Sequence, residues 1–486
     1  MTAATPPEPR AGTARSRPLT DRFLRWLGRL AVDAFYRRID VVGAERLPSS
    51  GPVIVLANHS NSLVDAAIIT AFLPRMPRFL GASTVWDYRS LRPFLNAAGV
   101  LPLYRRQDGR GHHGSLSDSF AKASDLLAAG GVLAIFPEGV SHNNPRVLPL
   151  KSGAARIALE TEAQHGPLGI TILPVCLTFE AKYRVRSRAL VEIGEQITLT
   201  PEELANYRAG PRVNRVEAVR TLTQRLHDRL DALTPGHESW EEARLVARAA
   251  EMIANTEPET VQPEALADIT ERRRRIHEGY LWVMSSHPDR TDKLRQDIAD
   301  YDRKLRGSGL RDDQVVHGAT TPGSAAHGLW RSLGLGVLLA PAAAIGLSLN
   351  LLPFWVLRIL SRRQDLDKRS TWSIFAGFFV FPAFWVLSAL VLGLIATATW
   401  GALAGWLCGI ATVTLALATG RPTLTFLDTC GVLIADIRAR IILRGSSKRV
   451  GQLHRQRRQI LDELIELADA YEAATGLDSD GGLPVS

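Results

Sequence analysis

From Gly51 to about Gly194 the chain alternates short apolar runs with longer stretches of helical periodicity. The runs are Val53–Ala57, Phe79–Ala82, Val100–Leu103, Val132–Phe136, Thr171–Phe179 and Leu190–Ile193, and Leu63–Phe72, Ser115–Ala129 and Ser152–Ala163 lie between them. Strands spaced by helices predict an α/β domain over 39–235, with a mixed or largely parallel sheet flanked by helices. In such domains ligands lie beyond the carboxyl ends of the strands. Ahead of it, Phe23, Leu24, Trp26, Leu27, Leu30, Phe35 and Tyr36 recur at near-helical spacing among arginines, which predicts a basic amphipathic helix over 21–38. Such a helix docks on the body, lies in the interface of an anionic bilayer, or does both. Residues 1–20, rich in Pro, Ala and Arg, are expected to be disordered, and no uninterrupted apolar stretch follows them, so no cleaved secretion signal is predicted.

Residues 236–327 read as a helical region ending in a Gly-, Ser- and Pro-rich link, Gly318–His327. The run Arg272–Arg275 fits a solvated helix face, or a contact for headgroups or an acidic carrier protein. Beyond the link the pattern changes: Leu333–Leu357 and Ser370–Gly420 contain no charged residue. At about 20 residues per crossing, 328–420 is expected to be embedded in a membrane. Pro341, Asn350 and Pro353 suggest that 333–357 is re-entrant and broken at proline, whereas 371–420 suits a helical hairpin turning near Thr397–Gly401. Arg358, Arg362, Arg363, Lys368 and Arg369 follow the first segment, and Arg438, Arg440, Arg444, Lys448 and Arg449 follow the last. The positive-inside tendency puts both clusters, the basic C-terminal helices of 421–486 and the catalytic body on the cytoplasmic face of the cell membrane.

Charge sharpens this picture. Lys plus Arg number 58 against 49 Asp plus Glu, a net +9, which fits an anionic partner. Beside membrane segments the economical partner is anionic lipid, not nucleic acid. The three cysteines, Cys176, Cys408 and Cys430, have no Cys-x-x-Cys spacing, so neither a disulfide framework nor a thiolate metal site is expected.

The candidate chemistry sits where strands end. Asn58-His59-Ser60-Asn61-Ser62 follows the first apolar run, and Asp65 lies in the helix after it. Six residues apart on one helix would face apart, so the pair meets only if His59 stands in the loop ahead of the helix, where Asn58, Ser60, Asn61 and Ser62 are all capping types. A histidine oriented by a carboxylate can serve as general base, and without a nucleophilic Ser or Cys signature it would most simply activate a substrate hydroxyl. Arg105 and Arg106 end another run, and a guanidinium suits a phosphate. Phe136-Pro137-Glu138-Gly139-Val140-Ser141 follows a buried run, with Gly139 permitting close backbone approach and Glu138 and Ser141 offering polar groups. Lys151 opens a helix whose free N–H groups attract anions. Taken singly, these also read as an ordinary cap, a surface histidine, solvated arginines and a strand-to-loop turn. Gly109–Gly114, with two histidines, reads as a loop without metal-ligand spacing, and Asp428 and Asp436 as interfacial polar residues.

In this order and at these intervals, Asn58-His59…Asp65, Gly99…Arg105, Phe136-Pro137-Glu138-Gly139 and Leu173-Pro174-Val175 resemble the glycerophospholipid acyltransferase family, which includes glycerol-3-phosphate and 1-acylglycerol-3-phosphate acyltransferases. The resemblance covers about Phe35 to Thr200. It implies an O-acyltransferase of phospholipid biosynthesis that forms no covalent acyl-enzyme and uses no metal or cofactor, acyl-CoA or an acyl-carrier protein being the co-substrate. It also implies His59 as base with Asp65 as partner, and Arg105, Glu138 and Gly139 in binding a phosphorylated glycerol acceptor. Five residues separate His59 from Asp65 where the family usually has four. That spacing, with the apolar extension, is similar to the branch containing fungal glycerol-3-phosphate and dihydroxyacetone-phosphate acyltransferases. The alternatives are another lysolipid or glycolipid acceptor, or a catalytically idle lipid-binding membrane protein.

Overall fold

The amphipathic N-terminal segment forms helix α1 (Pro18–Phe35). Its inner face buries Leu24, Ala31, Val32 and Phe35. It packs on α2 (Leu63–Phe72), where a Cβ at Gly28 would lie 3.4 Å from the Ala67 carbonyl, so the two helices approach closely. Arg25 donates to the Leu73 and Pro74 carbonyls and Arg29 to Ala71 at 3.0 Å. Two arginines of the basic helix thus satisfy the carbonyl end of α2 and oppose its dipole. The outer face leaves Leu19, Phe23, Trp26 and Leu30 exposed.

The computed structural model describes residues 18–476 apart from 90, 106–114, 210, 257–263, 317–321, 367 and 446. The expected disorder up to residue 17, Arg106, the Gly109–Gly114 loop and the start of the Gly318–His327 link lie outside the described residues. The chain divides into two units, the first running to Ser239 with Ala265–Asp268 and Asp365–Thr371, the second holding Trp240–Glu264, Ile269–Gln364 and the chain from Trp372.

In the first unit the strands are β1 (Arg38–Val42), β2 (Val53–Ala57), β3 (Arg78–Ala82), β4 (Leu101–Leu103), β5 (Val132–Ile135), β6 (Thr171–Phe179), β7 (Arg188–Ile193) and β8 (Ile197–Thr198). The intervening and following helices are α3 (Arg92–Ala97), α4 (Leu116–Ala128), α5 (Gly153–His165), α6 (Pro201–Ala209) and α7 (Arg212–Asp231). The sheet order is β1-β7-β6-β2-β5-β3-β4, with β8 against β6. Pairing is parallel except where β6 meets β7 and β8. This is the mixed, mostly parallel α/β sheet expected. Both central strands, β2 and β5, are buried along their whole length, as continuous apolar runs in a parallel sheet require. Ile54, Leu56, Leu133, Ile135 and Ile172 face a core completed by Leu127 of α4, Ile157 and Leu159 of α5 and Leu222 and Leu226 of α7.

The second unit is helical: α8 (Trp240–Ala254), α9 (Leu266–Ser286), α10 (Pro288–Ser308), α11 (Asp312–Val316), α12 (Pro322–Arg362), α13 (Arg369–Trp400), α14 (Ala402–Gly445) and α15 (Ser447–Thr475). Leu245, Ala249, Ile253, Ile298, Leu305, Val315, Ala439 and Ile460 form its core. At its centre the fully buried Asp312 accepts from Tyr301 at 2.5 Å, Asn255 at 2.9 Å and Arg457 at 3.1 Å. Arg272 and Arg274 pair with Glu264 and Glu271, and Arg275 also with Glu271, so these charges are spent on the helical unit itself.

Three helices are long and apolar enough to cross a membrane: Gly334–Arg362, Arg369–Trp400 and Ala402–Leu443. Gly401, at φ +92°, turns α13 into α14. A Cβ at Gly405 would fall 2.7 Å from the Gly393 carbonyl, and one at Gly409 3.5 Å from that of Ala389, a close antiparallel contact of small residues. The expected proline break in 333–357 is corrected: α12 remains helical through Pro341 and Pro353, as proline can in an apolar helix whose neighbours accommodate the freed carbonyls. Its contacts reach both arms of the hairpin. Gly346 lies against Thr419 and Thr423, and Asn350 bonds Ala416 and Trp385 nearer the Gly401 turn. Leu357 is back against Gly377, farther from that turn. The second hairpin arm also outruns the expected limit of residue 420, because α14 continues to Gly445.

Candidate active site

Leu56 of β2 stands opposite Ile135 of β5 in parallel register. Three residues further on, the two strand ends deliver His59 and Glu138 side by side, and the His59 N–H donates to Glu138 Oε1 at 2.8 Å. Asn58 extends the ladder on the other side of β2, its amide donating to the Leu177 carbonyl at 3.1 Å and accepting from the Leu177 N–H at 2.7 Å. His59 therefore leaves the sheet on a backbone tied to both neighbouring strands.

The loop then folds back so that His59 Nδ1 lies 3.0 Å from Asp65 Oδ2. The reversal passes through Ser62, whose φ of +51° is rare for a residue with a side chain. Asp65 is fully buried in the first turn of α2, where helix N–H groups favour a negative charge. Its Oδ2 also accepts from the Asn61 N–H at 2.7 Å, while Oδ1 has no hydrogen-bond partner among the described residues. A carboxylate at Nδ1 makes that nitrogen the donor and leaves the lone pair on Nε2. The imidazole stacks on Phe136, ring centroids 4.0 Å apart and planes 13° from parallel, which fixes its plane. Its side chain is 19% exposed against 0% for Asp65, so the imidazole is reachable and its partner is not.

Glu138, expected in acceptor binding, is buried, and each of its oxygens accepts a hydrogen bond. Besides the His59 N–H it accepts from the Leu148 N–H at 2.7 Å and pairs closely with His142 Nε2. His142 accepts from the Asn144 N–H at Nδ1 and donates its own N–H to the His59 carbonyl at 3.1 Å. The carboxylate thus joins two loops around His59. Ser141 is placed similarly, its Oγ accepting from the Ser62 N–H at 3.1 Å. Gly139 sits at φ +76°, where a side chain is strained, and its carbonyl accepts from Arg105 at 3.1 Å. Lys151, exposed just ahead of α5, donates its N–H to the Pro137 carbonyl at 2.7 Å and runs its side chain past Gly139. Arg105, Gly139 and Lys151 thus gather beside the loop that carries Glu138.

Sequence reasoning missed His142, the stacking role of Phe136, and Tyr36. Tyr36 accepts from the Asn61 side chain at 2.8 Å and donates to the Lys182 carbonyl at 3.0 Å. Burial pushes its phenol well above the ordinary range; the Asn61 bond opposes this and nearby Asp65 adds to it. Glu138-x-x-x-His142 was a visible signal, but nothing in the sequence joins Tyr36 to Asn61.

Known proteins match both units. Residues 38–178, within the α/β unit that carries His59, match the family model described as Acyltransferase. Residues 257–474 match the model described as the C-terminal domain of glycerol-3-phosphate acyltransferase 2. An uncharacterized acyltransferase of Schizosaccharomyces pombe is 25% identical over 374 residues, covering 60% of this chain and 54% of the relative. Glycerol-3-phosphate O-acyltransferases 1 and 2 of Saccharomyces cerevisiae are each 30% identical, over 254 and 207 residues. These matches cover 52% and 42% of this chain and 32% and 26% of the yeast proteins. The chain therefore spans about half of the first relative's length and a third or less of the other two.

Proposed function

We propose that the protein transfers a fatty acyl group from acyl-CoA or an acyl-carrier protein to a hydroxyl of glycerol 3-phosphate or 1-acylglycerol 3-phosphate in phospholipid biosynthesis. The observation that carries this is the 3.0 Å contact of His59 Nδ1 with the buried Asp65, which turns the basic Nε2 away from its partner. Nε2 takes the proton of the acceptor hydroxyl as its oxygen attacks the thioester carbonyl, and Asp65 stabilises the imidazolium. Collapse of the tetrahedral intermediate breaks the carbon–sulfur bond, and the imidazolium returns the proton to the leaving thiolate. Arg105, beside the Gly139 carbonyl, is the cation for the acceptor phosphate, with Lys151 as a second one. No metal or cofactor enters the reaction. The names of the yeast relatives favour glycerol 3-phosphate as acceptor.

The reading places the acyltransferase domain on the cytoplasmic face of the cell membrane. The basic clusters after α12 and α14 favour the cytoplasm. Partners are then membrane lipid, the thioester donor and the phosphorylated acceptor.

The test uses membranes containing the protein, radiolabelled long-chain acyl-CoA or acyl-carrier thioester, and either acceptor. Lysophosphatidate from glycerol 3-phosphate, lost by at least about a hundredfold in His59→Ala, supports the reading. Phosphatidate formed only from 1-acylglycerol 3-phosphate moves the acceptor to the second step. Product that persists in His59→Ala overturns the mechanism, and no product from either acceptor overturns the function.

A further inference from the structure

Each residue of the loop Asn58–Ser62 is tied down by a partner from another part of the first unit, and the ties at Asn61 come from the farthest point in sequence. Asn61 is fully buried, as is Ser370, and Thr371 is nearly so. Ser370 Oγ donates to the Asn61 side-chain oxygen over 309 residues of sequence, and Thr371 Oγ1 donates to the Asn61 carbonyl at 3.3 Å. The other end of the same side-chain amide donates to Tyr36. The Asn61 N–H donates to the Asp65 oxygen that also faces His59. Its carbonyl accepts in addition from the Val64 N–H, which opens α2. One residue thus joins the first turn of α13, through Ser370 and Thr371, to the carboxylate that orients the imidazole.

We propose that Ser370 and Thr371 are positioning residues for the His59–Asp65 pair, acting through Asn61. The inference rests on the acyl-transfer reading for its kinetic consequence only. The physical reason is a complete accounting of buried polar groups. Ser62 holds an unfavourable φ, so the loop needs over-determination from its surroundings to keep that shape. Without the Ser370 hydroxyl the Asn61 oxygen is buried and unpaired, and without that of Thr371 the carbonyl loses an acceptor bond at the turn. The Asn61 N–H then no longer has a fixed place at Asp65 Oδ2, and the carboxylate gains freedom to leave the imidazole. Asn61 is also one of the five residues between His59 and Asp65, so these contacts hold the longer loop in the one conformation that brings the pair together. Neither Ser370 nor Thr371 touches His59, so their effect is on geometry, not on substrate contact.

The experiment compares the full-length wild type with Ser370→Ala/Thr371→Val, Thr371→Val and Thr371→Ser in detergent micelles. Hydrogen exchange of peptides covering 58–65 is followed beside peptides from α10 as a fold control, together with initial rates. In the double variant, amides of 61–64 should exchange about tenfold faster with α10 unchanged. Its kcat should fall about tenfold or more while KM for the acceptor stays within about twofold. Thr371→Ser, which keeps the hydroxyl, should match wild type in both. Unchanged exchange in 58–65, or a rise in KM with kcat intact, overturns the proposal. If the double variant loses protection in α10 as well, the single Thr371→Val supplies the same comparison. A wild type without acyl transfer refutes the functional reading, while the exchange measurement still decides whether this clamp exists.

Discussion

The N–H of His59 donates to the buried carboxylate of Glu138 at 2.8 Å, because parallel register carries the two strand ends out together. The contact gives Glu138 a bracing place beside the base. In Glu138→Gln the oxygen can still accept from His59, but the new NH₂ faces the Leu148 N–H, and two donors meet. The variant should lose about 1–3 kcal/mol of stability and at least tenfold in kcat, roughly the effect of a small displacement of the base. Thermal unfolding and initial rates check this. A raised acceptor KM with unaltered stability would instead return Glu138 to substrate binding.

Gly139 holds a left-handed backbone whose carbonyl steadies Arg105. A Cβ there adds about 1–2 kcal/mol of backbone strain while only touching Lys151 Cγ at 3.4 Å, so relief of that strain moves the loop and Arg105 with it. Gly139→Ala should raise KM for a phosphorylated acceptor about tenfold, the worth of one charge-assisted hydrogen bond. The KM for the thioester donor should change far less, and equal effects on both substrates would refute the assignment of this corner to the acceptor.

How far the residues themselves disclosed this arrangement depended on distance along the chain. His59 and Asp65 were legible as a pair because a strand, a loop of capping residues and a helix start lie within a few positions, and periodicity locates each. Glu138 was legible as a strand-end residue, but its role was not, since two of its partners, at His59 and Leu148, are backbone N–H groups that any side chain carries. Tyr36 and Asn61 were invisible as partners because they meet only once α1 has packed on α2. The apolar helices announced themselves by their lack of charge. Pro341 and Pro353 misled because proline's cost in a helix depends on what its neighbours satisfy, which no local pattern records.

In the second unit, Asp312 is buried against Arg457, which also donates to the Met252 carbonyl at 2.6 Å. Removing this cation leaves a buried carboxylate that keeps the hydrogen bonds of Tyr301 and Asn255 but loses its directly paired guanidinium. Arg457→Leu should cost about 3–5 kcal/mol, and adding Asp312→Leu should restore part of the loss. Denaturant titration of the two variants measures this, and a double variant as unstable as the sum of two separate losses would refute the coupling.

Tyr36 and Tyr301 make a pH prediction with a definite sign. Burial raises the phenol of each, and beside Tyr301 the carboxylate of Asp312 acts in the same direction. A folded value above the unfolded one means that the native state holds these protons more tightly. Stability is then fully present below the ordinary tyrosine value, near pH 10, and falls as pH rises beyond it, because only the unfolded chain releases the protons. In an ultraviolet titration, Tyr36 and Tyr301 should ionise only together with alkaline unfolding. Tyr36→Phe should reduce that delayed fraction by one and weaken the alkaline loss of stability, although it also removes the acceptor of the Asn61 amide. If Tyr36 ionised smoothly around pH 10 in the folded protein, the burial of the hydroxyl that braces Asn61 would be wrong.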